Sequence, residues 1–126
     1  MKDNRFYICE HCGNIVGMIH DAGVPLMCCG QKMTHLVPGT VDASKEKHVP
    51  VVSVTDGSVK VEIGEVYHPM SEEHSITWVY LQTDKGGQRK NLTADSQPVV
   101  EFALKDEKPV AVYAYCNLHG LWKTDI

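Results

Sequence analysis

Val49-Pro50-Val51-Val52-Ser53-Val54, then Thr55-Asp56-Gly57, then Ser58-Val59-Lys60-Val61-Glu62-Ile63 is the stretch from which the fold is read. Its first run is apolar and rich in β-branched residues, and Asp56-Gly57 is a two-residue turn signal. Beyond the turn, Val59, Val61 and Ile63 alternate with Ser58, Lys60 and Glu62. A period of two sends one set of side chains into a core and the other into water, so the stretch predicts a β-hairpin. Similar signals follow downstream. Ile76-Thr77-Trp78-Val79-Tyr80-Leu81 is strongly β-prone and stops at Asp84-Lys85-Gly86-Gly87. Shorter candidates lie at 88–93 and 99–104, and Val110-Ala111-Val112-Tyr113-Ala114-Tyr115 closes the series. Five to seven short strands separated by turns predict an antiparallel sandwich or barrel, with no helix of convincing length and no internal repeat.

The first part of the chain is different. Residues 1 to about 37 hold four of the five cysteines, and Gly13, Gly17, Gly23, Pro25 and Gly30 interrupt short apolar pieces such as Ile15-Val16. No segment there can bury a core alone, so a metal staple is expected. Pro38-Gly39-Thr40 marks a boundary, and the polar run Asp42–Lys47 is a connector suited to a brief helical turn. The expected organisation is therefore a small module over 1–37 and a β domain over 38–126.

A net charge of −4 without a block of like charges gives no electrostatic footprint for nucleic acid or an anionic membrane. Met1–Arg5 runs directly into Phe6-Tyr7-Ile8-Cys9, and no apolar stretch approaches the roughly 18 residues of a membrane span. A cytoplasmic protein is expected. Asn91-Leu92-Thr93 matches a glycosylation acceptor pattern, which carries no weight without an export signal.

Five cysteines is an odd number for a disulfide framework, and cytosolic thiols stay reduced, so metal ligation is the better expectation. Cys9-Glu10-His11-Cys12 and Cys28-Cys29 supply four thiolates, the number for a closed tetrahedral site. The cysteines alone fit zinc and iron equally. Adjacent cysteines must turn both side chains to one side against backbone preference, which predicts a distorted site. With four sulfurs in place, His11, His20 and His35 are expected to face solvent.

A second donor set is scattered. His48, His68, His74, Cys116 and His119 span most of the remaining chain, as ligands carried by loops of a rigid β scaffold would. Pro50 and Pro69 stiffen the backbone near His48 and His68, and Gly120 allows a tight Cys-x-x-His turn. Four imidazoles and one thiolate leave one position open on an octahedral metal, and an open position is where chemistry happens. Scattered surface histidines are the plainer reading of the same residues. Cysteine–histidine acyl chemistry lacks an orienting partner and leaves the four-cysteine module unexplained.

Taken in order, Cys-x-x-Cys, Cys-Cys, Glu46-Lys47-His48-Val49-Pro50, His68-Pro69-Met70 with His74, and Cys116-Asn117-Leu118-His119-Gly120-Leu121-Trp122 resemble desulfoferrodoxin, the two-iron form of superoxide reductase, over essentially the whole chain. The resemblance implies a desulforedoxin-like amino-terminal module with a rubredoxin-type iron on Cys9, Cys12, Cys28 and Cys29, followed by an immunoglobulin-like antiparallel β-sandwich. It implies a second, square-pyramidal iron with His48, His68, His74 and His119 in the plane and Cys116 as the axial ligand. The implied activity is one-electron reduction of superoxide to hydrogen peroxide without oxygen evolution, a detoxification suited to an anaerobic or microaerophilic cell. Lys47 would steer the anion, and Glu46 would close on the iron after peroxide leaves. A rubredoxin-like electron donor and a homodimer are also implied. The rival from another class is a two-iron electron carrier or redox sensor without a substrate, and a zinc-stapled binding domain is a third reading.

Overall fold

The computed structural model describes residues 6–39 and 45–126, with the backbone alone at Lys45 and Glu46. It divides into two compact units, Met1–Val37 and Pro38–Ile126. The first unit holds β1 (Phe6–Ile8), β2 (Ile15–Gly17), β3 (Met27–Cys28), β4 (Gln31–Lys32) and β5 (Thr34–Leu36). Strand β1 lies between β2 and β5, all antiparallel, and β3 pairs with β4. These strands are two or three residues long, and among the described residues of this unit only Phe6 and Cys9 are buried hydrophobics. So little apolar burial does not hold a fold, which leaves the cysteines as its organising contact.

The second unit opens with one helical turn, α1 (Lys45–His48), where the polar connector was expected to coil; its earlier residues 40–44 lie outside the described residues. Seven strands follow: β6 (Pro50–Thr55), β7 (Ser58–Ile63), β8 (Ile76–Thr83), β9 (Gly86–Asn91), β10 (Val99–Ala103), β11 (Pro109–Cys116) and β12 (Gly120–Asp125). They form a three-stranded sheet in the order β10-β7-β6 and a four-stranded sheet in the order β12-β11-β8-β9. The chain is mainly β, as its periodicity predicts. Thr55 pairs with Ser58 across Asp56-Gly57, so the hairpin closes where the turn signal places it. Two differences stand out. Gly86 and Gly87 belong to β9 rather than to the turn, since they pair with Thr83 and Gln82, and a side chain at 87 would strike the Tyr80 hydroxyl and the Leu81 carbonyl. Strand β12 was not expected, since Gly120 and the charged Lys123 and Asp125 mask a short alternation.

Between the sheets lie Val59, Val61 and Ile63 of β7, Val100 and Phe102 of β10, Val79 and Leu81 of β8, and Val112, Ala114 and Cys116 of β11. Each fully buried aliphatic side chain is worth about 1.5–3 kcal/mol, so this alternation holds the sandwich together. It also does something more specific. Cys116 is the last inward position of β11, so the period that buries Val112 and Ala114 delivers a thiol to one end of the core. A register shift between Tyr115 and Cys116, opposite Trp78 and Ile76, re-aims the strand end at that point.

At the same end, the chain leaving β7 turns back past α1. Gly64 has φ +87°, its N–H donates to the Val49 carbonyl, and a Cβ there would strike the Val66 carbonyl and lie 2.7 Å from the Lys47 carbonyl oxygen. Only glycine allows this approach, which brings His48 and His68 together. Gly64→Ala is expected to destabilise the second unit by about 1–3 kcal/mol, the cost of a strained backbone position. Urea unfolding measures this, and an unchanged midpoint would contradict the assignment.

Candidate metal centres

In the first unit, Cys9 follows β1, Cys12 sits on the next turn, Cys28 ends β3 and Cys29 lies between β3 and β4. Their four sulfurs lie within 4.8 Å of one another. Cys12 Sγ is 3.7 Å from Cys28 Sγ, and Cys28 Sγ is 4.0 Å from Cys29 Sγ. A tetrahedral metal with bonds of about 2.3 Å sets its sulfurs about 3.8 Å apart, so the donors fit a metal. The Cys12 N–H points at Cys9 Sγ at 3.5 Å, and the knuckle closes with Gly13 N–H on the Cys9 carbonyl.

The adjacent pair shows where the expected distortion goes. Cys29 has φ 52° and Gly30 φ 73°, two left-handed residues in the turn joining β3 to β4. That backbone turns both thiols to one side, so part of the misfit expected of adjacent cysteines is taken up in the chain. The Cys12 amide holds the Cys9 thiol down to about 6, whereas contact with Cys12 pushes the Cys29 thiol up to about 12. Protons are thus shared unevenly among crowded sulfurs, a charge problem that a cation resolves. His11, His20 and His35 are exposed, and His35 lies against the Tyr7 ring.

The second unit gathers the scattered set. His48 ends α1. The N–H of His68 donates to the Ile63 carbonyl at the end of β7, His74 lies in the loop before β8, and Cys116 and His119 flank the turn from β11 to β12. Neighbouring rings in the cycle His48, His68, His74, His119 have centroids 4.7, 4.6, 5.0 and 4.9 Å apart and stand nearly perpendicular to one another. Across the cycle His48 and His74 are 6.4 Å apart, close to the diagonal of such a square. His48, His68, His74 and Cys116 offer donor atoms within 4.8 Å of one another. His119 completes the set, with Nδ1 3.1 Å from His48 Nε2 and 3.8 Å from Cys116 Sγ.

A metal fits these donors better than hydrogen bonds do. The Nδ1–H of His68 donates to the Pro69 carbonyl at 2.7 Å, which leaves Nε2 as a bare lone pair. His48 Nε2 lies 3.2 Å from that atom and 3.1 Å from His119 Nδ1, and a single proton on His48 serves only one of these contacts well. His74 Nε2 is buried with no partner, an omission worth about 1–3 kcal/mol. Bonds of about 2.1 Å at right angles place neighbouring nitrogens about 3.0 Å apart, so one cation satisfies all of them. Burial pushes His68 down to about 4 and also lowers His74, beside His119 and Lys47, so both rings are neutral donors at neutral pH. Burial raises the Cys116 thiol while the amides of Leu118 and His119 pull it down, the pattern of a sulfur awaiting a cation.

Lys47 is exposed next to His48, and its charge is felt at His74. The side chain of Glu46 lies outside the described residues. One supporting residue was legible only as part of a motif. Trp122 stacks on the His48 ring at 5.0 Å and donates its Nε1–H to the His119 carbonyl at 3.1 Å, so it steadies two donors at once. Its carbonyl partner is three residues back, but the ring it stacks on is remote in sequence and no local signal announces it.

A four-thiolate unit and a β-sandwich carrying a four-imidazole and one-thiolate cluster define a protein with two metal centres. The family model described as desulfoferrodoxin matches residues 40–125, and that for the desulfoferrodoxin N-terminal domain matches residues 2–36. Desulfoferrodoxin of Nitratidesulfovibrio vulgaris is 47% identical over 121 residues, covering 96% of this chain and 95% of the relative. The desulfoferrodoxin homolog of Archaeoglobus fulgidus is 42% identical, covering 95% of each. Among solved structures, the superoxide reductase from Treponema pallidum superimposes with a TM-score of 0.83 at 42% identity, over 98% of this chain and 100% of that one. The one-iron superoxide reductase from Giardia intestinalis has a TM-score of 0.56 at 31% identity, over 65% of this chain and 98% of its own. This chain belongs to the desulfoferrodoxin family, whose two iron ions match its two donor groups.

Cys29→Ser removes a thiolate from the strained turn and is expected to leave one iron per chain in place of two, with the histidine cluster still loaded. Iron analysis with visible spectroscopy checks this, and retention of both irons would contradict the four-sulfur assignment.

Proposed function

We propose that this chain is a superoxide reductase, transferring one electron to superoxide, which with two protons leaves as hydrogen peroxide. The observation that carries the reading is the square of four imidazoles with a buried fifth donor, Cys116, beside an exposed lysine. In this reading Cys9, Cys12, Cys28 and Cys29 hold one iron in the module 1–37. His48, His68, His74, His119 and Cys116 hold the other in the domain 38–126. Ferrous iron held by the second set would supply the electron.

The chain's own residues do the rest. A donor set with only one anionic member leaves the site net positive towards superoxide, and Lys47 adds a charge at its edge. The Cys116 sulfur pushes electron density towards the metal, and the Leu118 and His119 amides temper that push by hydrogen bonding. Lys47 would also orient water to deliver protons, and Glu46 would serve as a further donor to the oxidised metal.

A rubredoxin-like carrier returns the electron, and the four-cysteine iron serves either as a relay or as a staple. The exposed Ile19, Val24 and Met27 of the first unit support a homodimer, which sedimentation of the holoprotein tests by mass. No helix among the described residues is long and apolar enough to cross a membrane. The cytoplasmic site of action is tested by cell fractionation.

The reduced chain is expected to lose its electron to pulse-generated superoxide, and Lys47→Ile to slow that capture about tenfold at low ionic strength. The gap should narrow in salt as the screening length falls from about 10 Å at 0.1 M to about 3 Å at 1 M. Equal rates at low salt would remove Lys47 from its role. Glu46→Ala should make peroxide normally yet alter the oxidised resting spectrum, and an identical spectrum would count against closure by Glu46. Donor-dependent turnover of the Cys29→Ser chain decides the relay, with a rate equal to the parent pointing to a structural first centre.

A further inference from the structure

His74 is held unlike the other donors. His48 ends a helical turn and packs under Trp122, and His68 is fixed by its own amide and by its ring nitrogen. Cys116 and His119 share one tight turn. His74 instead sits in the loop 69–75, where Ser71 N–H donates to its carbonyl at 2.9 Å and its own N–H donates to Ser71 Oγ at 3.2 Å. Those bonds shape the loop without fastening it to a strand.

Met70 anchors the start of the loop, accepting the Ile76 N–H on its Sδ at 3.4 Å and packing against the core, and the end that carries His74 is fastened by Asn117. Its Oδ1 accepts the Ser75 N–H at 3.0 Å, its Nδ2 donates to the Glu73 carbonyl at 2.9 Å, and its backbone N–H donates to the Ser75 carbonyl at 3.2 Å. All three bonds bracket His74, and Asn117 is bonded directly to Cys116. We propose that Asn117 is a positioning residue that locks the His74 imidazole to the Cys116 turn, so that these two donors meet the metal in one fixed relation. The proposal deepens the superoxide-reductase reading and rests on it only for its catalytic consequence. A carboxamide is the group required, because it places a donor and an acceptor on one short stem. Aspartate keeps the acceptor but turns a second oxygen on the Glu73 carbonyl, and alanine leaves the backbone bond alone.

The test uses the full-length chain. Competition with a ferrous chelator measures the affinity of the histidine cluster for iron, and visible absorption follows the sulfur-to-iron band. Asn117→Ala and Asn117→Asp are each expected to weaken that affinity about 10–100-fold, the range for groups that orient metal ligands, and to shift the band. The four-cysteine iron and the unfolding midpoint of the metal-free chain should stay near the parent. In a His74→Ala background the Asn117→Ala change should cost less than about twofold, because the residue acts through His74. Should that background bind no iron, the His74 ring signal in the metal-free chain serves in its place. It is then expected to broaden in Asn117→Ala while those of His48 and His68 stay as they are. Parental affinity in Asn117→Ala, an equal loss without His74, or an unaltered His74 signal would overturn the proposal. A parent that binds iron but reduces no superoxide would instead refute the functional reading and leave the clamp standing.

Discussion

Bare nitrogen lone pairs repel, and this fold holds several of them at bonding distance from a single point. His48 Nε2 faces both His68 Nε2 and His119 Nδ1 at just over 3 Å, with the unpartnered His74 Nε2 nearby. The rest of the second unit answers that constraint. The core of β7, β8, β10 and β11 is the scaffold from which the donors project, and β11 ends on the sulfur that completes the set. Gly64 admits the chain past α1, and Trp122 stacks on the His48 ring while holding the His119 carbonyl. Each ring is oriented by the element that carries it, which is how groups around a metal site set the direction of its ligands.

The two units use metal in opposite ways. In the first, strands of two or three residues bury almost nothing, so four sulfurs stand where a core would be and the backbone accepts strain at Cys29 to bring them together. In the second, apolar burial comes first and the donors ride on its end. A closed four-sulfur site offers no room for a substrate and suits stapling or electron relay. A square of imidazoles with an exposed lysine beside it leaves room for a small anion.

Much of this could be read from the residues. Period-two alternation marked the inward valines, Asp56-Gly57 marked a turn, and the cysteine spacing marked a closed site. The scattered histidines became a set only when the ordered motifs were taken together. What stayed hidden was long-range or conformational. Nothing near Gly64 says that Lys47 passes beside it, and nothing near Trp122 says that it stacks on His48. Adjacent cysteines announced a conformational cost, but not that Cys29 would meet it with a left-handed φ. Strand β12 escaped because a short run of alternating charged and apolar residues after a glycine resembles a loop until β11 pairs with it.

The central claim is that the histidine cluster reduces superoxide and does not dismute it. Anaerobic mixing of the fully reduced chain with a limiting amount of superoxide, with peroxide and oxygen measured together, tests this most directly. The account predicts one hydrogen peroxide for each superoxide consumed, matched by loss of one electron from the protein, and no oxygen. Oxygen release with half that peroxide, or a protein that keeps its electrons, would contradict it.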